Sequence, residues 1–365
     1  MITDIKLKQT PLHADHLALH AKMVPFGGWD MPLQYEGILA EYQHTRQHVS
    51  VFDTSHMGEF LIEGEAKACG LDKIVTQSLI DLPVKTSRYG FMLNDSAGVI
   101  DDLIVFRLEE KKWLIVVNAG TMENDAHHML TNLAEGSFKN ISKRTGKLDV
   151  QGPLARDVLA SFVQGIEELK YFHFDTFDVL GEKVIVSRTG YTGELGYEIF
   201  YPGEKMPQLW QALLDKGARP AGLGVRDVLR LEMGYSLYGH ELTEAVSPLE
   251  AGLEKFVNWN KEFIGRDALG KEKTAGPHRR MIAFIAQSRR SPRAHHKIYL
   301  REGPEIGEVT SGSFSPALNA GIGLGLVEQG KLDLEATTID FGGDTNRLTA
   351  QITRLPFYKK GSLKE

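Results

Sequence analysis

With a single cysteine among 365 residues, Cys69, the chain has no intramolecular disulfide and no cysteine-rich metal site. No apolar run approaches the roughly 18 residues that a membrane span needs. The first stretch, MITDIKLKQTPLH, carries a charge every few residues where a secretory signal would be apolar, and Asp4 within it argues against a transit peptide. A cytoplasmic protein with no membrane association is the expectation. Neither sign of charge dominates: 42 Lys and Arg against 48 Asp and Glu leave a net charge of −6, which gives no global footprint for nucleic acid. Several catalytic and ligand-binding signatures are also missing. There is no HExxH, no GxSxG, no GxGxxG and no GxxxxGK[ST], so a metal site, a serine-nucleophile elbow and a phosphate loop are all disfavoured.

What is present is the composition of a globular protein, 42% hydrophobic and 25% charged, in a chain too long for one ordinary core. Helices are expected over 38–49, after Pro153, over the apolar stripe Met206, Leu209, Trp210, Leu213 and Leu214, and from about Val225, with Arg226 and Arg230 on one face. Strands are expected at 58–64, 99–108, 112–119, 182–188 and 195–201, with Glu109–Lys111 a hairpin turn. From Arg279 onward short strand-like runs alternate with Gly, Pro and Asp, the pattern of a small all-β barrel or roll. Residues 271–278 read as a linker. The expected architecture is therefore α+β, with a large N-terminal part, 1–270, and a β domain at 279–365.

Within VIDDLIVFR, two adjacent aspartates sit in a run apolar on both faces. Strict alternation puts Ile100, Asp102, Ile104 and Phe106 on one face and Val99, Asp101, Leu103 and Val105 on the other. At least one carboxylate is then poorly solvated and needs compensation. Glu198 lies between Tyr197 and Ile199 behind the glycines 190, 193 and 196, a second carboxylate in apolar surroundings. Arg226, in GLGVRDVLRLE, is open to two readings: an ion-pair partner of Asp227 or Glu232, or a guanidinium that holds a carboxylate or a carbonyl-rich ring. The stretches PFGGWDMP (25–32) and SGSFSP (311–316) read as tight loops. Basic groups cluster at 278–281, 289–297 and 358–364, either as solvated faces or as landing sites for an anionic partner or ligand tail.

Taken together, PFGGWDMPLQY, VFDTSHMGEF, GVIDDLIVFR, QGP, SRTGYTGELGYE, RPAGLGVRDVLRLE, YGHEL, EFIGRDAL and GEVTSGSFSP occur in an order that resembles the T-protein family of the glycine cleavage system, from about Pro11 to Tyr358. The resemblance implies three domains around a central folate channel, the third a jelly-roll-like β domain. It also implies an aminomethyltransferase with tetrahydrofolate as co-substrate and no metal, whose partner is a lipoylated H-protein. The carbon leaves an aminomethyl group on the lipoyl sulfur for N5 and N10 of tetrahydrofolate, releasing ammonia, and positive charge develops on the way. By the same resemblance Asp102, the second aspartate of IDDL, is the catalytic carboxylate and Asp101 its structural partner. Glu198 corresponds to the family's pterin ligand, whose carboxylate accepts a ring N–H and an amino group side by side. Arg226, Tyr191 and Met57 match further folate contacts, and Tyr89 an aromatic near the aminobenzoyl ring. Where some relatives carry a C-terminal arginine or tyrosine against folate, this chain ends YKKGSLKE, with Lys360 or Lys364 as substitutes. The alternative within the superfamily is a folate-dependent demethylase. A non-enzymatic relative serving iron–sulfur assembly is disfavoured by TGYTGELGYE, which lacks that branch's cysteine motif. A pure binding module is disfavoured by the complete set of aspartate and pterin positions.

Overall fold

The computed structural model describes residues 6–332, 337–343 and 346–364. Three sheets carry it. An antiparallel five-stranded sheet runs in the order Ser87–Leu93, Val99–Glu109, Lys112–Val117, Gly58–Glu63, Phe138–Asn140. One of its faces packs Phe60, Ile62, Leu103, Val105, Trp113 and Ile115 with Met129 of the helix Met122–Asn132.

The six-stranded sheet has the order Phe174–Val179, Glu182–Ser187, Gly196–Pro202, Thr145–Gln151, Ser50–Asp53, Arg219–Pro220, with only the last pair parallel. Period-two alternation sends Leu148, Val150, Tyr197 and Ile199 to its outer face, against Leu209, Trp210 and Leu213 of the helix Met206–Asp215. Its inner face meets the second face of the five-stranded sheet: Phe174, Phe200 and Ile185 pack with Ile104, Phe106, Leu114 and Val116. The charged inner strand positions toward its middle are Lys147, Asp149 and Glu198, all buried.

The C-terminal strands close into a six-stranded antiparallel barrel in the order Arg279–Ala286, Ala320–Glu328, Glu305–Ser315, Lys297–Leu300, Thr338–Gly343, Asn346–Thr353. It rests on the helix Leu223–Met233, where Leu231 packs with Ala283, Ile322 and Leu324.

Three details depart from the sequence reading. First, alternation along Val99–Glu109 is broken: Met92 pairs with Asp101 but Leu93 pairs with Val99, so Ile100 is bulged out. Ile100 consequently packs with Leu103 and Val105, while Val99 packs with Phe91 and Leu93. The two aspartates still occupy opposite faces. Second, the helix Arg266–Ala275 runs through most of the expected linker. Third, SGSFS is not a loop but the end of the barrel strand Glu305–Ser315. Glycine makes that strand possible, since a Cβ on Gly312 would lie 2.5 Å from the Pro292 carbonyl oxygen. The stretch 25–32 is a hairpin whose turn residues Gly27 and Gly28 have φ of +55° and +84°.

Arg230 joins helix to barrel. It is 1% exposed, and it donates to Asp227 Oδ1 at 2.8 Å, the Tyr235 carbonyl at 3.0 Å, Glu241 Oε2 at 2.9 Å and Ser311 Oγ at 2.8 Å. Replacing it by Met strands the buried Glu241 carboxylate. Arg230→Met is expected to cost about 3–5 kcal/mol in denaturant unfolding; a loss near that of an exposed pair, under about 1 kcal/mol, would show that the cluster is not what holds the barrel.

Candidate functional site

Asp102 lies on the side of its strand that looks toward the six-stranded sheet, directly across from Phe91. Tyr89, two residues along that neighbouring strand, donates its hydroxyl to Asp102 Oδ2 at 2.9 Å. The other carboxylate oxygen takes the Asn118 amide at 2.9 Å. The same amide nitrogen gives its second hydrogen to Asp101 Oδ1 at 2.9 Å, and the Asn118 backbone N–H reaches Asp101 Oδ2 at 2.9 Å. Asp101 is fully buried, whereas Asp102 is partly open. Burial first, then the neighbouring Asp101 charge, push the Asp102 carboxyl up to about 7. The compensation expected for the two aspartates is thus an asparagine, with no cation among the groups acting most strongly on them.

Across from this pair stands a chain of buried charges. Lys147 Nζ contacts Asp149 Oδ1 at 3.0 Å and Glu198 Oε2 at 3.1 Å, and Asp149 Oδ2 receives Arg226 Nη1 at 2.7 Å. Thr54 adds a hydroxyl to Asp149 Oδ1 at 2.9 Å. The strand pairing explains the cluster: Asp149 sits directly opposite Glu198, and Lys147 is its diagonal neighbour. Burial alone would raise Asp149, but the two cations hold it down at about 2. Glu198 shifts the other way, raised by burial that Lys147 only partly offsets. Arg226 therefore pairs with neither Asp227 nor Glu232; Arg230 takes Asp227, and Glu232 is held by Arg46 at 2.6 Å.

Tyr191 stands between the two halves. Arg226 lies 5.1 Å from its ring centroid, its ring stacks on Tyr235 at 5.7 Å, and the Asp102 charge acts on its phenol. Its hydroxyl donates to the Ser236 carbonyl. Met57 belongs to the apolar cluster between the sheets. Asp102, Tyr89, Tyr191, Arg226 and Met57 are each half-buried, so all five keep a face toward open space, and Glu198 lies just behind them. Lys360 and Lys364 are exposed. The neighbouring Ser362 is anchored by its N–H and hydroxyl to Glu194 Oε2 at 2.8 and 2.6 Å, which ties the C-terminal segment to the glycine-rich loop.

Sequence reading missed Asn118, Lys147 and Asp149. Lys147 and Asp149 carry a period-two signal in KLDVQ, but nothing local says which strand they meet. His56 is a packing histidine, edge-on to Phe26 at 5.6 Å and held down to about 4, mainly by burial.

Removing one member of the charge chain leaves the others uncompensated. Lys147→Met is expected to destabilise the fold by about 3–5 kcal/mol, read by chemical denaturation, whereas the double change Lys147→Met, Asp149→Leu should recover a large part of that loss. Additive losses in the double variant would mean that the two side chains act independently.

Residues 12–261 match the GCVT N-terminal domain, and residues 279–359 match the glycine cleavage T-protein C-terminal barrel domain. Similar proteins include an aminomethyltransferase of Pseudothermotoga lettingae, 40% identical over 365 residues, with 98% of this chain and 99% of that protein covered. Another is an aminomethyltransferase of Desulforamulus reducens, 41% identical over 362 residues, with coverages of 97% and 99%. The crystal structure of the glycine cleavage system aminomethyltransferase T from Bartonella henselae superposes with a TM-score of 0.90 at 33% identity, covering 98% of this chain and 99% of that one. With matched domains at both ends and relatives aligned over nearly their full length, the chain belongs to the glycine cleavage T-protein family.

Proposed function

We propose that the protein is the aminomethyltransferase of a glycine cleavage system, taking its carbon from the aminomethyl-lipoyl arm of an H-protein. The observation that carries the reading is the half-open Asp102 carboxylate, poised by burial at about 7 and facing a chamber walled by buried charge. Tetrahydrofolate, when bound, supplies the two nitrogens that accept the carbon, with release of ammonia and of the dihydrolipoyl arm. The residues present suit a reduced pterin: Glu198 has its Oε2 on Lys147, and its Oε1 is a carboxylate acceptor suited to a ring N–H and amino group. Arg226 offers a guanidinium at the opening, and Tyr191 and Met57 provide flat and apolar contact beside it.

Asp102 does the chemistry in this reading. Held by Tyr89 and Asn118, the carboxylate needs no reorganisation when positive charge develops near it, and a water-poor site makes that attraction stronger than in bulk. A carboxyl poised near neutrality also accepts a proton from an attacking amine and returns it. Tyr89 fixes the carboxylate and presents its ring beside Phe256 at 4.8 Å, a platform for the aminobenzoyl group. For the carrier protein we propose the barrel's basic cleft, lined by Arg289, Arg290, Arg293 and His296, as an electrostatic landing face.

The direct test is ammonia release from aminomethylated H-protein with and without tetrahydrofolate. Asp102→Asn should lower kcat by about 10²-fold or more, with folate affinity, measured by fluorescence quenching, little changed. Ionised Asp102 is the active form, so wild-type kcat/KM should climb with pH and level off above about 7. Stability runs in the opposite direction. A carboxyl whose folded value is raised above its unfolded one favours the fold while protonated, and that contribution is lost as pH rises from about 4 to about 7. Asp102→Asn should therefore gain stability relative to wild type across that window. A dead variant whose wild-type pH profile lacks the acid limb would remove Asp102 from proton transfer.

The proposed landing face has its own check. KM for H-protein should rise as salt is taken well above physiological ionic strength. A flat KM would leave the arginines as ordinary surface.

A further inference from the structure

Behind Asp101, on the side of the five-stranded sheet away from the chamber, the helix Met122–Asn132 brings in a third carboxylate, Asp125. It is fully buried, and neither of its oxygens has a hydrogen-bond donor in range among the described residues. The Thr121 hydroxyl at the start of that helix donates to the Asn118 carbonyl at 3.1 Å. Asp125 instead faces Asp101, itself a carboxylate, closely enough that each acts on the protonation of the other. Two carboxylates in contact need a proton between them.

The hydrogen-bond count says who holds that proton. Asp101 already receives the Asn118 N–H and the Asn118 side-chain amide, and Asp102 receives Tyr89 and the same amide. Each of those bonds favours the charged form of its acceptor. The one hydroxyl near Asp125, that of Thr121, is committed to the Asn118 carbonyl, so Asp125 has no comparable donor. The titratable groups that act on the three come from every packed element: one another, Tyr89 on the adjacent strand, Tyr191 on the glycine-rich loop and Tyr238 on the loop after the 223–233 helix. No arginine or lysine is among the strongest influences on any of the three.

We propose that Asp125 is a positioning residue for the reaction, a neutral carboxylic acid that donates its proton to Asp101 and so locks the Asp101–Asn118–Asp102 chain in the rotamers that aim Asp102 into the chamber. The bonds run one way, from Asp125 O–H to Asp101, while Asn118 gives one amide hydrogen to each aspartate. Asn118 is thereby clamped between two acceptors, and its amide orientation is fixed. Burial, then the Asp101 charge, push the Asp125 carboxyl up to about 10, in keeping with an acid that stays protonated at neutral pH. The proposal rests on the role given above to Asp102, but the protonation state of Asp125 is measurable without any turnover.

Infrared spectra of the full-length protein near pH 8 should show a carboxylic-acid carbonyl band that is kept in Asp102→Asn and lost in Asp125→Asn, beside the band that the buried, donorless Glu59 gives in all three. In steady-state assays Asp125→Leu, which has no donor, should lose about tenfold in kcat with KM for tetrahydrofolate little changed, the scale of a misaimed catalytic group. Asp125→Asn, whose amide replaces the O–H donor without adding charge, should recover most of that loss and keep the acid limb where wild type has it. A wild type minus Asp125→Asn difference with no such band places the proton elsewhere and overturns the proposal. So does an acid limb in Asp125→Asn moved about one unit to lower pH, since that shift means a negative charge was removed. If the band behaves as expected but Asp102→Asn keeps its activity, the reading of Asp102 fails while the protonation of Asp125 stands.

Discussion

The architecture depends on keeping charge between two sheets that also have to pack. Their shared interior is apolar at one end, where Phe106, Leu114, Phe174 and Phe200 meet. At the other end it holds Lys147, Asp149, Glu198 and Arg226. Two cations and two anions at 2.7 to 3.1 Å are neutral as a set. That balance is what makes burial tolerable, because the desolvation of each ion is offset only by close, well-aligned partners. An apolar set of the same volume would hold the sheets together at least as well. Stability alone therefore does not account for the charges.

The aspartate pair solves the same problem differently. Asp101 and Asp102 share no cation; an amide, a phenol and a backbone N–H satisfy them. Neutral donors stabilise a carboxylate less than a guanidinium does, so Asp102 stays near neutrality while Asp149, two arms on it, is driven to about 2. One interior thus holds two carboxylates set for different work, one fixed as a structural anion and one free to change state. The difference lies in the partners: burial raises both, and only Asp149 has cations to bring it back down.

How much of this was legible in the sequence follows from how local each signal is. The opposed facing of Asp101 and Asp102 was legible, because alternation needs only neighbours, although the bulge at Ile100 upset the faces of the residues before them. Asn118 was nearly legible. The expected turn Glu109–Lys111 pairs Leu108 with Lys112 and so sets Asp102 opposite Asn118, the register that the structure keeps with Ile104 paired to Val116, although a bulge lies between Arg107 and Glu109. The register was within reach; what no local signal showed was that an amide, rather than a cation, would compensate the pair. Lys147 and Asp149 were not legible, since their strand pairs with Gly196–Pro202 only after an intervening helix and two further strands. The barrel showed through its short runs and turn residues, except at Glu305–Ser315, where the glycines that allow close packing against Pro292 and Leu326 look like a loop.

One helix makes the chamber and the barrel a single mechanical unit. Leu223–Met233 aims Arg226 into the charge chain, and one turn later Arg230 into Glu241 and Ser311. Two residues further, Glu232 takes Tyr42 at 2.9 Å, Arg46 at 2.6 Å and Ser315 of the barrel at 2.5 Å. Tyr42, Arg230, Glu232, Glu241, Ser311 and Ser315 are buried, so none can be left unpaired without a penalty larger than that of an ordinary surface contact. The barrel serines satisfy donors and acceptors on the same helix that carries Arg226. A barrel displaced from this helix would expose or orphan Arg230 and Glu232 and loosen the backbone from which Arg226 reaches Asp149. The aim of a group in the chamber is in this way set partly by hydroxyls on Ser311 and Ser315, in a domain that contributes no side chain to the charge chain itself.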